Sequence, residues 1–307
     1  MSAPQITVLI CAYNRAAVLI ECLRRLEMQT FRDFDVVVVD DGSTDDTLAQ
    51  ATAFAAASKL RMQVLTKPNG GLGHARNFGL QFVTSPVTLS LGHDIWPHPE
   101  FVAEHLRLHR DHPEERTAVV GLSRYFDPHR QITPYERYLE TRGAQFSYGK
   151  IRDGDRVDWH FFYTGNLSAK TSLLRRYPSN EDIFFLEDAA LGYRIWRNGG
   201  LTVIYNARAA ADHYHPANVA WSFERLYRAG QDARQLVAAE PELREEFEVR
   251  GSERRLRFYR WLAARHGLWR AVVRVMQPLS RHWAMAWFAG KALRLNFSAG
   301  YEGLPKP

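Results

Sequence analysis

Residues 34–47, FDVVVVDDGSTDDT, run from four consecutive valines into a cluster of acidic, glycine and hydroxyl residues. An unbroken stretch of β-branched residues ending in turn formers reads as a strand buried on both faces, the kind a parallel sheet requires. Upstream, ITVLICAY at 6–13 has the same character and runs into Asn14 and Arg15. Between the two, AAVLIECLRRLEMQ spaces Val18, Leu19, Cys22, Leu23 and Leu26 as one face of a helix. Strand, helix and strand with short links make a parallel βαβ unit. The pattern continues with a helix over 44–57, the strand MQVLTK, the helix HARNFGLQFV and the strand PVTLSLGHD. Four such strands predict an open α/β sheet, whose ligands sit beyond the carboxyl ends of the strands.

That rule sorts the polar residues. Tyr13, Asn14 and Arg15 follow the first strand, Asp40 and Asp41 the second, Lys67 the third, and His93 with Asp94 the fourth. They are expected to line one crevice. No glycine follows the first strand in CAYNRAAV, so the dinucleotide fingerprint is missing and a Rossmann dehydrogenase is disfavoured. Further on, 100–110 reads as a helix and 117–123 as a strand, while 127–158 is irregular, polar and rich in Tyr and Arg, as in a long functional loop. FFLEDAALGYRIWRNG at 184–199 is a helix opened by Glu187 and Asp188, and LTVIYNARAAADHYH at 201–215 is a strand. Beyond Pro216 the text is helical, with Phe223, Leu226, Tyr227 and Gly230 on one face and a break at Glu240-Pro241. The expected divisions are 1–110, 111–216 and 217–307.

With 307 residues, 46% of them hydrophobic, the chain can bury a substantial core. Two cysteines, Cys11 and Cys22, supply no disulfide framework, which fits a reducing cytoplasm. No run of about 18 apolar residues and no basic, apolar leader is visible, so neither a membrane span nor a secretion signal is expected. A net charge of +6 points to an anionic partner: nucleic acid, a phosphorylated small molecule or a lipid surface.

Several residues carry chemistry. The Tyr13 ring can stack on a nucleobase and Asp41 can accept a base N–H, although DDGS also reads as a turn in which Ser43 or Thr44 caps the next helix. In PNGGLGHARN, 68–77, glycines allow close backbone approach, and Arg76 at the following helix suits a diphosphate or simply solvent. A carboxylate at a helix start, as at Glu187 and Asp188, suits a general base and equally complements the helix dipole. His213 and His215 are two apart in an extended segment and so point to one side.

VLICAYNR, the DDGSTDDT block, GGLGHARNFGL, LGHDIWPHPEF, TGNLSAK, FFLEDAALGYRIWRNG and DHYHP occur in that order, and on them the chain resembles family 2 glycosyltransferases of the GT-A fold from about residue 5 to residue 230. The resemblance implies a Rossmann-like open, mostly parallel sheet with helices on both faces and a C-terminal helical appendage. It implies inverting transfer of a sugar from a UDP- or dTDP-sugar to a hydroxyl of a glycan, lipid-linked or other acceptor, and no nucleic-acid partner. It places Cys11, Tyr13, Asn14, Arg15, Asp40, Asp41, Lys67, Gly71, Arg76, His93, Gly165 and Asn166 on the donor, with Arg76 and Lys67 facing the departing diphosphate. Asp188 is the implied base and Glu187 its orienting neighbour. A weakly bound Mn²⁺ or Mg²⁺ falls to Asp94 and His213, with His215 beside them. The metal motif departs from the family pattern, because Gly92 and His93 stand where acidic residues are usual. Two other readings are a non-catalytic nucleotide-sugar-binding relative and a sugar nucleotidyltransferase; the latter lacks its glycine-rich, basic loop after the first strand. At 250–297 arginines alternate with Trp261, Trp269, Trp283, Trp287 and Phe288, as in helices lying on an anionic membrane face or packed on the catalytic domain.

Overall fold

The valine run forms the strand β2 (Phe34–Asp40), which pairs in parallel with β1 (Ile6–Ala12) and β3 (Arg61–Thr66), while β1 also pairs in parallel with β4 (Val87–Gly92). These are the four parallel strands expected. The computed structural model describes residues 4–141, 145–215, 217–247 and 296–303, with single positions 257, 261, 271, 274, 275 and 294. The chain makes two compact units: 1–126 with 151–183 and 187–215, and 127–150 with 184–186 and 216–307.

In the first unit, α1 (Ala16–Glu27) buries Leu19, Cys22, Leu23 and Leu26, the i, i+3, i+4, i+7 stripe that seats a helix on a sheet. The helices α2 (Thr47–Ala57), α3 (Leu72–Leu80) and α4 (Phe101–Asp111) follow β2, β3 and the short strand β5 (Ile95–Pro97). Val8, Ile10, Val36, Val38, Leu89, Phe101 and Leu106 are among the core residues between sheet and helices. Edge strand β3 turns Arg61, Gln63 and Thr66 toward solvent.

The sheet continues with reversed strands. β8 (Asn166–Lys170) lies antiparallel between β4 and β6 (Thr117–Tyr125), and β9 (Thr202–His213) runs parallel to β6. The strand order is β3-β2-β1-β4-β8-β6-β9-β5, with β7 (Arg156–Val157) also on β9. Between Gly121 and Leu122 the β6–β9 register jumps from Asn206 to Ala210. A Cβ at Gly121 would collide with the Ala209 carbonyl and the Asn166 side-chain amide, so only glycine fits this bulge. The helices α6 (Thr171–Arg176) and α7 (Glu187–Arg197) complete the unit.

The loop expected over 127–158 contains more structure than its composition suggested. Pro134–Thr141 is a helix, α5, in the second unit. Thr133 and Glu136 form a capping box: the Thr133 N–H donates to Glu136 Oε2 at 2.8 Å and the Glu136 N–H to Thr133 Oγ1 at 3.2 Å. Arg130 adds two hydrogen bonds to the same buried carboxylate, at 2.8 and 2.6 Å. The second unit also holds α8 (Val219–Ala239), a short turn Pro241–Leu243 at the expected break, and α9 (Arg244–Phe247). Mid-α8, Asp232 Oδ2 accepts the amides of Phe184, Phe185 and Leu186 at 3.1, 2.6 and 3.3 Å. Of the C-terminal arginines and tryptophans, Arg257, Trp261, Arg274 and Arg294 are described and exposed; Arg250, Arg254, Arg255, Arg260, Arg265, Arg270, Trp269, Trp283, Trp287, Phe288 and Lys291 lie outside the described residues. No described helix is long and apolar enough to cross a membrane.

Under the sheet, His105 and His109 of α4 are almost wholly buried around Ser168. The His105 Nδ1 and His109 Nε2 atoms lie 2.8 and 2.9 Å from its hydroxyl, and His105 Nε2 lies 2.9 Å from Asn166 Oδ1. Burial pushes their imidazolium pKa values down to about 4 and about 3. Above the ordinary value of about 6.5 both rings are neutral in folded and unfolded chains; below it only the unfolded chain takes up the protons. Stability is therefore expected to fall as pH drops from about 6.5 toward 3–4, each histidine adding to the loss. Urea midpoints measured from pH 7 to pH 4.5 check this, and His109→Gln should flatten the slope.

Candidate active site

The polar residues at the ends of β1 to β4 are tied to one another. Asn14 adopts a left-handed backbone, φ 52°, which asparagine tolerates better than most residues. Its side-chain oxygen accepts the Thr44 and Asp45 amides at 2.8 and 3.3 Å, and its own N–H donates to Ser43 Oγ at 2.9 Å. Arg15 donates its N–H to Thr47 Oγ1 at 2.8 Å. Ser43 and Thr44 thus bind Asn14 instead of capping α2, which starts later, at Thr47, with Asp45 Oδ1 accepting the Thr47 N–H at 2.9 Å. Tyr13 stays 45% exposed.

Asp40 and Asp41 divide sharply. Asp41 is buried, and its carboxylate accepts Lys67 Nζ at 2.8 Å, Asn69 Nδ2 at 3.2 Å, and the amides of Gly70 and Gly71 at 3.1 and 2.7 Å. It therefore shapes the glycine loop that enters α3, where Gly71 needs φ 93°. The Lys67 ammonium is turned to Asp41 and to the Pro68 carbonyl, 2.6 Å away. Asp40 is also buried, and its Oδ2 accepts the Ser43 N–H at 3.2 Å and Thr66 Oγ1 at 3.1 Å. Its Oδ1 is buried with no hydrogen-bond partner among the described residues. An unpaired buried carboxylate oxygen is costly and calls for a donor group from elsewhere.

At the end of β4 the chain turns through Gly92 and His93 to Asp94. The three-residue β5 pairs antiparallel with the end of β9, setting Ile95 opposite His213. Asp94 Oδ2 consequently lies 3.6 Å from His213 Nε2 and 3.3 Å from His215 Nδ1, and one ligand atom from each residue falls within 4.8 Å of the others. Burial alone would raise the Asp94 carboxyl, but His93, His213 and His215 hold it well below the usual carboxylate range. It is ionised and faces two imidazoles. Gly92 leaves room for this group, since a Cβ there would lie 2.9 Å from Asp94 Oδ1. The His93 Nδ1 atom is 3.2 Å from the Cys11 carbonyl, and burial pushes the Cys11 thiol up to about 12, so it is neutral.

Gly165 accepts the Gly92 N–H at 2.9 Å, which places it beside the β4 end. Asn166, expected in the same wall, is 1% exposed, and its amide is spent on His105, Ser123 and the Ala209 carbonyl. It braces the sheet. Glu187 and Asp188 open α7 as expected. Asp188 is half-buried, with the Ala189 N–H on its Oδ1 at 2.8 Å. Glu187 is buried, 3.8 Å from the Arg76 guanidinium, which likewise faces away from solvent.

A mixed sheet with four parallel strands, helices against it, and a carboxylate–histidine cluster at the strand ends define a GT-A fold. The fold is shared with a mannosyltransferase from Pyrobaculum calidifontis solved with GDP-Man and Mn²⁺ (TM-score 0.67, 20% identity, covering 97% of this chain and 87% of that one). TarS of S. aureus solved with UDP is similar too (TM-score 0.55, 17% identity, 97% and 90%). The sequence profile described as Glycosyl transferase family 2 matches residues 7–181, and the chain belongs to that family. A validoxylamine A glucosyltransferase of Streptomyces hygroscopicus subsp. jinggangensis is 27% identical over 247 residues, 70% of this chain and 58% of its own length. The chain spans little more than half the length of such relatives.

Proposed function

We propose that the chain transfers a sugar from a nucleoside-diphosphate donor, of the UDP or dTDP class, to an acceptor hydroxyl by single displacement. The observation that carries this reading is the Asp94, His213 and His215 cluster at the ends of β4 and β9. One ionised carboxylate and two imidazoles suit a divalent ion that also takes phosphate oxygens and water, and the nitrogen ligands favour Mn²⁺ over Mg²⁺. Such an ion would stabilise charge on the departing diphosphate. Asp188 takes the acceptor proton as the acceptor oxygen bonds to C1. The C1–O bond to the diphosphate breaks with its electron pair leaving on oxygen, and the configuration at C1 inverts. The unpaired Asp40 oxygen supports a base contact, since uracil and thymine each present a ring N–H there. Guanine presents one as well, so the base is to be read by experiment. The exposed Tyr13, just after β1, offers a ring that can stack on the base. The acceptor in this reading is a hydroxyl of a glycan, of a lipid-linked saccharide or of another molecule.

The test is a screen of UDP-glucose, UDP-N-acetylglucosamine, dTDP-glucose and GDP-mannose with Mn²⁺, Mg²⁺ or chelator, following release of the nucleoside diphosphate. Turnover of a uridine or thymidine donor that Mn²⁺ supports better than Mg²⁺ is expected. Binding of a nucleotide sugar without hydrolysis or transfer in any acceptor trial would favour a non-catalytic relative.

A further inference from the structure

Arg76 sits on α3, directly after the glycine loop, where its motif would aim it at a donor diphosphate. Its side chain goes elsewhere: it is 3% exposed. The Nη1 group donates to Ser179 Oγ at 3.0 Å and Nη2 to Thr164 Oγ1 at 2.7 Å, while Nη2 lies 3.8 Å from Glu187 Oε1. Glu187 is itself only 7% exposed. A guanidinium is tolerated in such a place only with an anion and with hydrogen-bond acceptors, and here hydroxyls from two separate segments fix the plane of the fork. The two hydroxyls come from residues 88 and 103 positions further along the chain.

We propose that Arg76, clasped by Thr164 and Ser179, is a positioning residue that holds Glu187 and, through it, the first turn of α7 with Asp188, instead of contacting the donor diphosphate. The proposal rests on the reading of Asp188 as the base. It gives α3 a double task. Its N-terminal loop is shaped by Asp41 through Gly70 and Gly71, and one turn later its buried arginine steadies the helix that bears the acid pair. A lysine would keep the charge but lose the two-hydroxyl grip.

The test compares Arg76→Lys, Arg76→Gln, Thr164→Val, Glu187→Gln and the double variant R76Q/E187Q. Two readouts are taken: affinity for UDP or GDP with Mn²⁺, and kcat at saturation with whichever of the four nucleotide sugars turns over in the screen. Arg76→Gln is expected to lower kcat about 10–100-fold, the scale of a misplaced catalytic group, with nucleotide affinity unchanged. R76Q/E187Q should be no worse than Glu187→Gln alone, and Arg76→Lys and Thr164→Val should fall between. Nucleotide affinity weakened tenfold or more in Arg76→Gln, with kcat kept, would overturn the proposal in favour of a diphosphate contact. Additive losses in the double variant would overturn it too. If Arg76→Gln does not fold, Thr164→Val decides on the same two readouts. Full transfer by Asp188→Asn would instead remove the base reading, and the Arg76–Glu187 cycle in unfolding midpoints would still report whether the pair is coupled.

Discussion

Asp188→Asn should lower kcat by about 10²–10⁴-fold, the usual contribution of a positioned general base. Nucleotide affinity and the unfolding midpoint should stay close to those of the parent. The reason is the division within the acid pair. Asp188 is half-buried in the first turn of α7, where an amide of the same size keeps the local hydrogen bond to the Ala189 N–H but cannot take a proton. Glu187 is the buried partner of Arg76, so Glu187→Gln should cost stability as well as rate. Steady-state transfer assays beside thermal melts separate the two. Transfer at the parent rate in the Asp188→Asn protein would falsify the assignment of the base.

Asp94→Ala should remove most of the Mn²⁺-dependent part of donor binding, by at least the roughly 10–100-fold seen when even a supporting residue of a metal site is lost. Asp94 is the one carboxylate of the cluster, and no acidic side chain stands at 92 or 93 to replace it. Without it two imidazoles remain, a set that binds Mn²⁺ poorly. His215→Ala and His213→Ala should give smaller losses. Titration of UDP or GDP with Mn²⁺ and then with chelator measures the metal-dependent share directly. An unchanged Mn²⁺ response in Asp94→Ala would place the ion elsewhere.

The parallel half of the sheet was legible because β1, β2 and β4 are buried on both faces and so appear as unbroken apolar runs. His213 and His215 were legible as a pair because a strand alternates its side chains. What joins them to Asp94 is β5, three residues ending in proline, too short to show any periodicity. The helix α5 hid in a stretch read as loop, although Thr133-Pro134-x-Glu136 is a capping box with proline at the first helical position. Asp41 and Arg76 were expected on the donor; the protein partners that the structure gives them lie 26–30 and 88–111 positions away, and nothing local announces those contacts. Asn166 looked like a pocket residue and is a buried hub, because its neighbours His105 and Ser123 come from helix α4 and strand β6, far away in sequence.

Single displacement at C1, with Asp188 as the base, leaves one stereochemical signature. The most direct measurement is the anomeric configuration of the first product formed from an α-linked nucleotide sugar, read from the C1 proton coupling in its nuclear magnetic resonance spectrum. A β-linked product is predicted, and an α-linked product would contradict the account.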